Sequence, residues 1–171
     1  AIMSHVLLLD LAFEIETPLS NGAALQGELP NLLFFVSPLE LEGRRQFALY
    51  AGPAYTVADA AGLRDPIAVV LDRGRSIPVN PDDLLVKEAP YAFYFGEYES
   101  AVNAEGRIQA LARSSIPAYA LQVAYADSTT RVRVYGGAFW DELEAEEMGR
   151  MIVDADAGEL ILTPRRGTVP E

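Results

Sequence analysis

The chain has 171 residues and a formal net charge of −12, with 25 acidic residues against 13 Lys and Arg. Half of the residues are apolar, which excludes a disordered chain, and the negative charge argues against nucleic acid as a partner because phosphate binding depends on Lys and Arg. The absence of cysteine excludes disulfides and thiolate metal sites, and without a run of about 20 apolar residues no membrane span is expected.

The first half of the chain predicts the element order βαββαβ. Its apolar start lacks a basic segment and a cleavage site, so it is interpreted as a strand rather than a signal peptide. The helices are indicated by apolar spacing and by Thr56 as an N-cap, and the strands by apolar runs between turn residues. The predicted strands are 6–15, 32–36, 46–51 and 67–71, and the predicted helices are 20–29 and 56–63.

The second half predicts the same order more clearly. Residues 119–125 and 131–136 alternate in the period of a strand, and Asp141 followed by Glu144 is typical of a capping box that begins a helix. Gly158 is expected to end that helix. The remaining elements are a strand at 91–98, a helix at 103–113 and a last strand at 159–163.

The two halves repeat each other. Gly52 and Gly137, Ala60 and Ala145, and Leu63 and Met148 are pairs with the same offset of 85 positions. We therefore expect two units, residues 1–72 and 90–171, joined by a linker at 73–89. The predicted fold class is α+β, with two tandem βαββαβ ferredoxin-like units, each an antiparallel four-stranded sheet with two helices on one face and the other face open.

Four short motifs support a family resemblance: residues 94–98 (YFGEY), 113–119 (RSSIPAY) and 133–139 (RVYGGAF) in the second unit, and 49–54 (LYAGPA) in the first. Together they resemble the SPOR domain, a βαββαβ module of bacterial envelope proteins. The resemblance implies a non-catalytic module, without cofactor or metal, that binds peptidoglycan glycan strands stripped of their stem peptides. It also implies a periplasmic or cell-envelope location, with a membrane tether supplied by another segment.

The open sheet face is the surface that the resemblance implies for the glycan. Strand alternation, with Val132 and Val134 turned toward the helices, defines which side chains of the second unit are expected there. Tyrosine can stack on sugar rings, and arginine can bind the lactyl carboxylate through two hydrogen bonds. The candidate glycan-binding residues are Tyr94, Gln122, Arg131, Arg133 and Tyr135, with Tyr50 as the first-unit counterpart of Tyr135.

The first unit departs from this pattern. Ala48 stands where the second unit has Arg133, and Asp10 stands near the position of Tyr94, so this unit is expected to be a structural or protein-binding copy.

A simpler interpretation of Arg131 and Arg133 is that they pair with local acids such as Glu97.

Two other functions are kept open. The tandem scaffold could be a structural accessory subunit that binds and stabilises a larger membrane or envelope protein complex, as its acidic surface suggests. It could also be a paired small-molecule sensor, since regulatory amino-acid-binding modules share the βαββαβ order.

Other candidate sites have simpler interpretations. The single histidine, His5, is expected to be an ordinary strand residue, and residues 154–159 a turn rather than a calcium loop. The acids at 141–147 are expected to complement a helix dipole in solvent.

Overall fold

The computed structural model describes residues 1–73 and 80–169, and the protein is an α+β structure built on two sheets. In chain order the first half contains β1 (His5–Ala12), α1 (Glu16–Glu28), β2 (Phe34–Leu41), β3 (Arg44–Ala54), α2 (Val57–Ala61), α3 (Arg64–Asp72) and β4 (Leu85–Glu88). A short 3-10 turn, Pro81–Asp83, precedes β4. The four strands form the first sheet, which is antiparallel with the order β2-β3-β1-β4.

The second half contains β5 (Tyr91–Tyr98), α4 (Ala101–Ala112), β6 (Tyr119–Tyr125), β7 (Thr130–Phe139), α5 (Glu142–Asp154), β8 (Leu162–Pro164) and β9 (Thr168–Val169). Its strands form the second sheet, in the order β8-β5-β7-β6-β9. The first four strands in that order are antiparallel neighbours, and β9 joins the edge parallel to β6. No helix among the described residues is both long and apolar enough to cross a membrane.

The two sheets pack against each other through a shared core, and helices cover their other faces, with α5 in contact with β2 of the first sheet as well as with β7 of its own. One core lies between the first sheet and α1 and α3, and another lies between the second sheet and α4 and α5. A third core joins the sheets themselves, where Phe35 stacks on Tyr119 with ring centroids 4.0 Å apart. The backbone N–H of Ala138 also donates across this layer to the buried Ser37 hydroxyl at 3.0 Å. Both faces of each sheet are therefore covered over much of their area.

This packing corrects the prediction of an open face. In the central strands, residues on the side away from the helices are small or aromatic, including Ala48 and Tyr50 in β3 and Tyr135 and Ala138 in β7. Strands that are apolar on both sides are typical of sheets that are buried on both faces. The predicted alternation of buried and exposed residues is therefore replaced by burial on both sides.

The fourth strand of the first sheet also differs from the prediction. Residues 67–71, predicted as a strand, lie in α3, and the strand is instead β4, inside the predicted linker. Pro66 in the first helical turn is compatible with a helix, and a five-residue apolar run does not distinguish helix from strand. Residues 74–79 of the predicted linker lie outside the described residues.

Ion pairs between the halves include two of the acids that were expected to be solvated. The Glu147 carboxylate accepts hydrogen bonds from Arg45 in β3 and from Arg150 one turn later in α5. Arg150 also donates to Glu40 in β2 at 2.9 Å, and Lys87 in β4 pairs with Glu144. These ion pairs therefore hold one face of α5 against the first sheet.

We expect Glu147→Gln to lower the free energy of unfolding by about 1–3 kcal/mol, because two guanidinium groups lose a largely buried carboxylate. Burial opposes ionisation of Glu147, but hydrogen bonds from Arg150 and Arg45 outweigh it and lower its pKa, so the carboxylate is charged at neutral pH. Urea unfolding monitored by circular dichroism measures the difference. Glu146→Gln is the matched control, since that side chain is 54% exposed and lies 4.0 Å from Arg150. Equal losses in the two variants would contradict the argument.

Candidate functional site

The structure places the predicted glycan-binding residues in three different surroundings, two of which adjoin. Tyr135 and Tyr50 are buried in the layer between the sheets, where a glycan cannot reach them. The Tyr135 hydroxyl accepts a hydrogen bond from Arg133 Nη1 at 3.3 Å, so Tyr135 borders another candidate. The Tyr50 hydroxyl accepts a hydrogen bond from Lys87 Nζ at 3.1 Å. Both tyrosines therefore belong to the packing between the two halves.

Gln122 lies on the other side of the second sheet. It is paired with Val132, whose side chain packs on the core beneath α4 and α5, so Gln122 is on the helix side of β6. The buried side of β6 that faces the first sheet carries Tyr119 and Leu121. The prediction inverted this strand because alanines alternate with the larger apolar residues, and both sets are compatible with burial.

The remaining three candidates meet around Glu97, in a group that we call the Glu97 cluster: Tyr94, Glu97, Tyr125, Arg131 and Arg133. Arg133 Nε lies 3.1 Å from Glu97 Oε1, and Arg131 Nε lies 3.2 Å from Glu97 Oε2. The Tyr125 hydroxyl donates to Glu97, and the Arg133 guanidinium lies over the Tyr94 ring at 5.6 Å. The simpler interpretation of the two arginines, pairing with Glu97, agrees with this geometry.

An irregularity in β5 positions the acid of this cluster. The pairing of β5 with β7 shifts between Tyr94, opposite Tyr135, and Glu97, opposite Arg133. Gly96 lies within the shift with φ of 121°, a conformation that side-chain-bearing residues rarely adopt. The shift turns the Glu97 carboxylate to the same side of the sheet as both arginines.

The electrostatics keep the cluster charged. Burial opposes ionisation of Glu97, but hydrogen bonds from Tyr125 and Arg133, with the charges of both arginines, lower its pKa below the ordinary 4.5. Burial also opposes the charge on Arg133, and its hydrogen bonds to Tyr135, Tyr125 and Glu97 raise its pKa instead. Glu97 thus takes the place that an anionic ligand would occupy between Arg131 and Arg133.

We expect Glu97→Gln to make the free energy of unfolding depend less on pH in the acidic range. The folded-state pKa of Glu97 is below the unfolded value near 4.5, so its contribution is present above that pH and is lost as the pH falls through the lower folded value. Urea midpoints between neutral pH and pH about 3 should therefore fall more steeply in the wild type than in Glu97→Gln. Glu99→Gln, at an exposed neighbouring position, is the control and should retain the wild-type slope. A Glu97→Gln profile parallel to the wild type would contradict the assignment.

The other candidate sites lack ligand geometry. His5 Nδ1 lies 2.9 Å from the Ser4 hydroxyl, and His5 is a β1 residue as predicted. Asp154 is the last residue of α5, and a turn at residues 155 and 156 follows it. Among the described residues, no three His, Asp or Glu side chains are grouped closely enough to hold a metal ion.

Sequence reasoning missed two basic residues whose contacts are structural. Arg165 is fully buried and donates to Met3 and Ala89 carbonyl oxygens and to the Tyr119 hydroxyl. Nothing in the sequence distinguishes Arg165 from the adjacent Arg166, which is only partly buried. The other is Lys87. It lies in the predicted linker, although the apolar residues directly before it are typical of a strand.

Sequence reasoning also missed a groove of about 430 Å³ on the outer side of α5, beside the segment that leads into β8. Its apolar wall includes Phe93, Val153 and Leu160. A concave surface lined by apolar side chains is a common form of contact site for another molecule.

Comparison with known proteins identifies no relative of this chain. The chain matches no family model, no curated protein and no solved structure. The resemblance to SPOR domains therefore stays a prediction that rests on short motifs. Function has to be argued from the contacts of this chain.

Proposed function

We propose that this chain is a non-catalytic structural accessory subunit that binds other proteins through its outer surface. The observation that carries the proposal is the packing of the two sheets, which covers the faces that a SPOR-like module would use for a glycan. Tyr50 and Tyr135 are buried there, and Glu97 forms ion pairs with both Arg131 and Arg133 at the margin. The accessible surfaces are helices, strand edges and a predominantly acidic exterior.

We also propose that each half derives from a ferredoxin-like βαββαβ module of the SPOR type. In support, β3 and β1 lie between β2 and β4 in the first sheet, β5 and β7 lie between β8 and β6 in the second, and these neighbours are all antiparallel. The short α2 and α3 together take the place of the second helix in the first half. On the motif resemblance we place the subunit in the periplasm or cell envelope, where it would stabilise a larger envelope or membrane protein complex.

Glycan binding is the second candidate, and one observation favours it. The Arg131 side chain is 41% exposed, and the partly buried Tyr94 lies in the same cluster, so an aromatic ring and a guanidinium group are still accessible at one margin of the second sheet. A stripped glycan strand would bind there only by displacing Glu97 from the arginines. Removing the Glu97 charge should then strengthen binding.

Retention on purified peptidoglycan sacculi, intact or stripped of stem peptides by amidase, separates the two functions. For a protein-binding subunit we expect the wild type and Glu97→Gln to stay in the supernatant with both preparations. Retention that rises after stripping, increases in Glu97→Gln and falls in Arg131→Ala would instead establish glycan binding.

Photo-crosslinking tests the protein-binding proposal directly. A photoreactive amino acid is placed in turn at Leu85, Val102 and Val153, exposed positions on β4, α4 and α5, and the full chain is irradiated in the cells that produce it. A discrete protein adduct at one or more positions is expected. The absence of adducts at all three positions would overturn the proposal.

A further inference from the structure

The groove along α5 has an apolar wall and an acidic rim. We call it the α5 groove; its wall is formed by Phe93, Ala145, Gly149, Val153, Leu160 and Leu162. The side chains of Val153 and Leu160 are large, yet these residues are 60% and 48% exposed. Contiguous apolar surface that is left in water costs free energy, which covering by another molecule would recover.

The charges around the α5 groove determine which molecules could cover it. Glu142, Glu146 and Asp154 line it. The basic residue among the lining side chains is Arg150, which is already engaged by Glu40 and Glu147. The groove therefore presents negative charge around an apolar centre and favours an apolar ligand with Lys or Arg on its flanks.

The same charge argues against other occupants. A second copy of this chain would bring its own net charge of −12 toward the acidic rim. Anionic membrane surfaces and nucleic acids would be repelled for the same reason. A basic segment of a different protein is the occupant that the charge favours.

The shape of the site favours a helix over an added strand. β8, the strand nearest the groove, has three residues, and Pro164 in it has no backbone N–H to pair with a new strand. The groove follows α5 from Glu142 to Asp154, a length of about 18 Å at 1.5 Å per residue. About three turns of an amphipathic helix, with apolar residues at i, i+3, i+4 and i+7, would match that length.

We propose that the α5 groove binds a basic amphipathic helix of a partner protein. This inference rests on the proposed function and adds to it the surface and the chemistry of the partner. The apolar face of the bound helix lies on Val153 and Leu160, and its Lys or Arg side chains meet Glu142, Glu146 and Asp154.

A labelled helical peptide tests the inference with the full chain. The probe has about 15 residues, with Leu at i, i+3, i+4 and i+7 and Lys on both flanks, and fluorescence anisotropy measures its binding. We expect saturable binding that weakens as salt is raised, because the flanking charges are screened. A second peptide with the same leucines and Glu in place of Lys should not bind.

Two substitutions and one control locate the binding. Val153→Arg places a cation in the groove and should weaken binding about tenfold or more, whereas Val102→Arg, at an 80% exposed position on α4, should leave it unchanged. Gly149→Leu fills the groove without a charge and should weaken binding likewise. A β-carbon at residue 149 would make ordinary contacts, 3.5 Å to Phe93 and 3.9 Å to Leu160, so this helix position tolerates a side chain. Thermal unfolding confirms that each variant is folded.

Equal binding of the Lys and Glu peptides, equal binding to wild type and both groove variants, or no saturable binding would overturn the inference. Association of the chain with itself through the groove, seen as a dimer by analytical ultracentrifugation that Val153→Arg abolishes, would overturn it too. The proposed function fails independently of these outcomes. Crosslinked adducts at Leu85 or Val102, with none at Val153, would reject the groove and retain a protein-binding subunit.

Discussion

Arg165→Ala is expected to lower the free energy of unfolding by about 3 kcal/mol or more, because it leaves several buried acceptors without a donor and creates a cavity. The side chain of Arg165 is fully buried. Its guanidinium donates to the Met3 carbonyl oxygen at 2.9 Å, the Ala89 carbonyl oxygen at 2.5 Å and the Tyr119 hydroxyl at 3.3 Å. These acceptors are neutral, so the charge is stabilised by oriented dipoles in place of a carboxylate.

The position of these acceptors explains why the effect should be large. Met3 precedes β1, Ala89 lies between β4 and β5, and Tyr119 begins β6, so one side chain connects the N-terminus, the link between the halves and the second sheet. Burial raises the pKa of Tyr119, against the lowering effect of Arg165, so its hydroxyl stays neutral and able to accept. Loss of Arg165 would therefore weaken all three segments at once.

Guanidinium chloride unfolding of Arg165→Ala and Arg166→Ala measures this effect with a matched control. Arg166 is the adjacent residue of the same type, half-buried, in an isolated backbone bridge with Ile2. Its truncation should cost less than about 1 kcal/mol. If the two variants lost the same stability, the hydrogen bonds of Arg165 would not be the cause.

The repeat in the sequence has a physical explanation in the structure. Gly52 and Gly137 both have positive φ, 123° and 75°, near the ends of β3 and β7. At Gly137 a β-carbon would also lie 2.2 Å from the Phe139 ring. Ala60 and Ala145, the next equivalent pair, are both buried on helices that follow those strands. These landmarks could be predicted because local backbone and close packing require small residues there.

Elements with one clear signal could also be predicted. The cap of α5 is one example: the Asp141 carboxylate accepts from the Glu144 backbone N–H at 2.9 Å, as the sequence predicted. The side-chain orientation in β7 is another example. Val134 packs beneath the helices and Arg133 lies on the opposite side of the sheet, as predicted. In both cases the types of residue at a fixed spacing leave a single arrangement.

The candidate site could not be predicted because it depends on what covers each sheet. Alternation placed Tyr135 correctly on the face away from the helices, but it contains no information about the other half of the chain. Glu97 was named as a partner of Arg133 in the simpler interpretation, but the register shift at Gly96 that brings it opposite Arg133 was not predicted. Packing between repeats and irregular strand register are non-local properties, and short patterns do not encode them.

Phe35→Ala is expected to lower the free energy of unfolding by about 3–5 kcal/mol, as for other buried phenylalanines truncated in a core. Phe35 is buried in β2, stacks on Tyr119 of the second sheet and lies 5.8 Å from the Tyr50 ring. Its removal leaves a cavity between the sheets. Phe13→Ala is the control: the same substitution at a residue that is 53% exposed and contacts Arg44 should cost less than about 1 kcal/mol.

Trp140, the single tryptophan, makes this variant a test of whether the two halves unfold together. It precedes α5 in the second half and lines a cavity with Glu40 and Gly43 of the first, so its fluorescence reports on the second half and on its contact with the mutated half. Because the sheets share one core, we expect Phe35→Ala to shift the Trp140 transition and the circular-dichroism transition in urea by the same amount. A Trp140 transition that stays at the wild-type midpoint would mean independent halves. The sheet faces could then separate without unfolding, and the buried tyrosines would again be accessible to a glycan, so this measurement bears on function as well as stability.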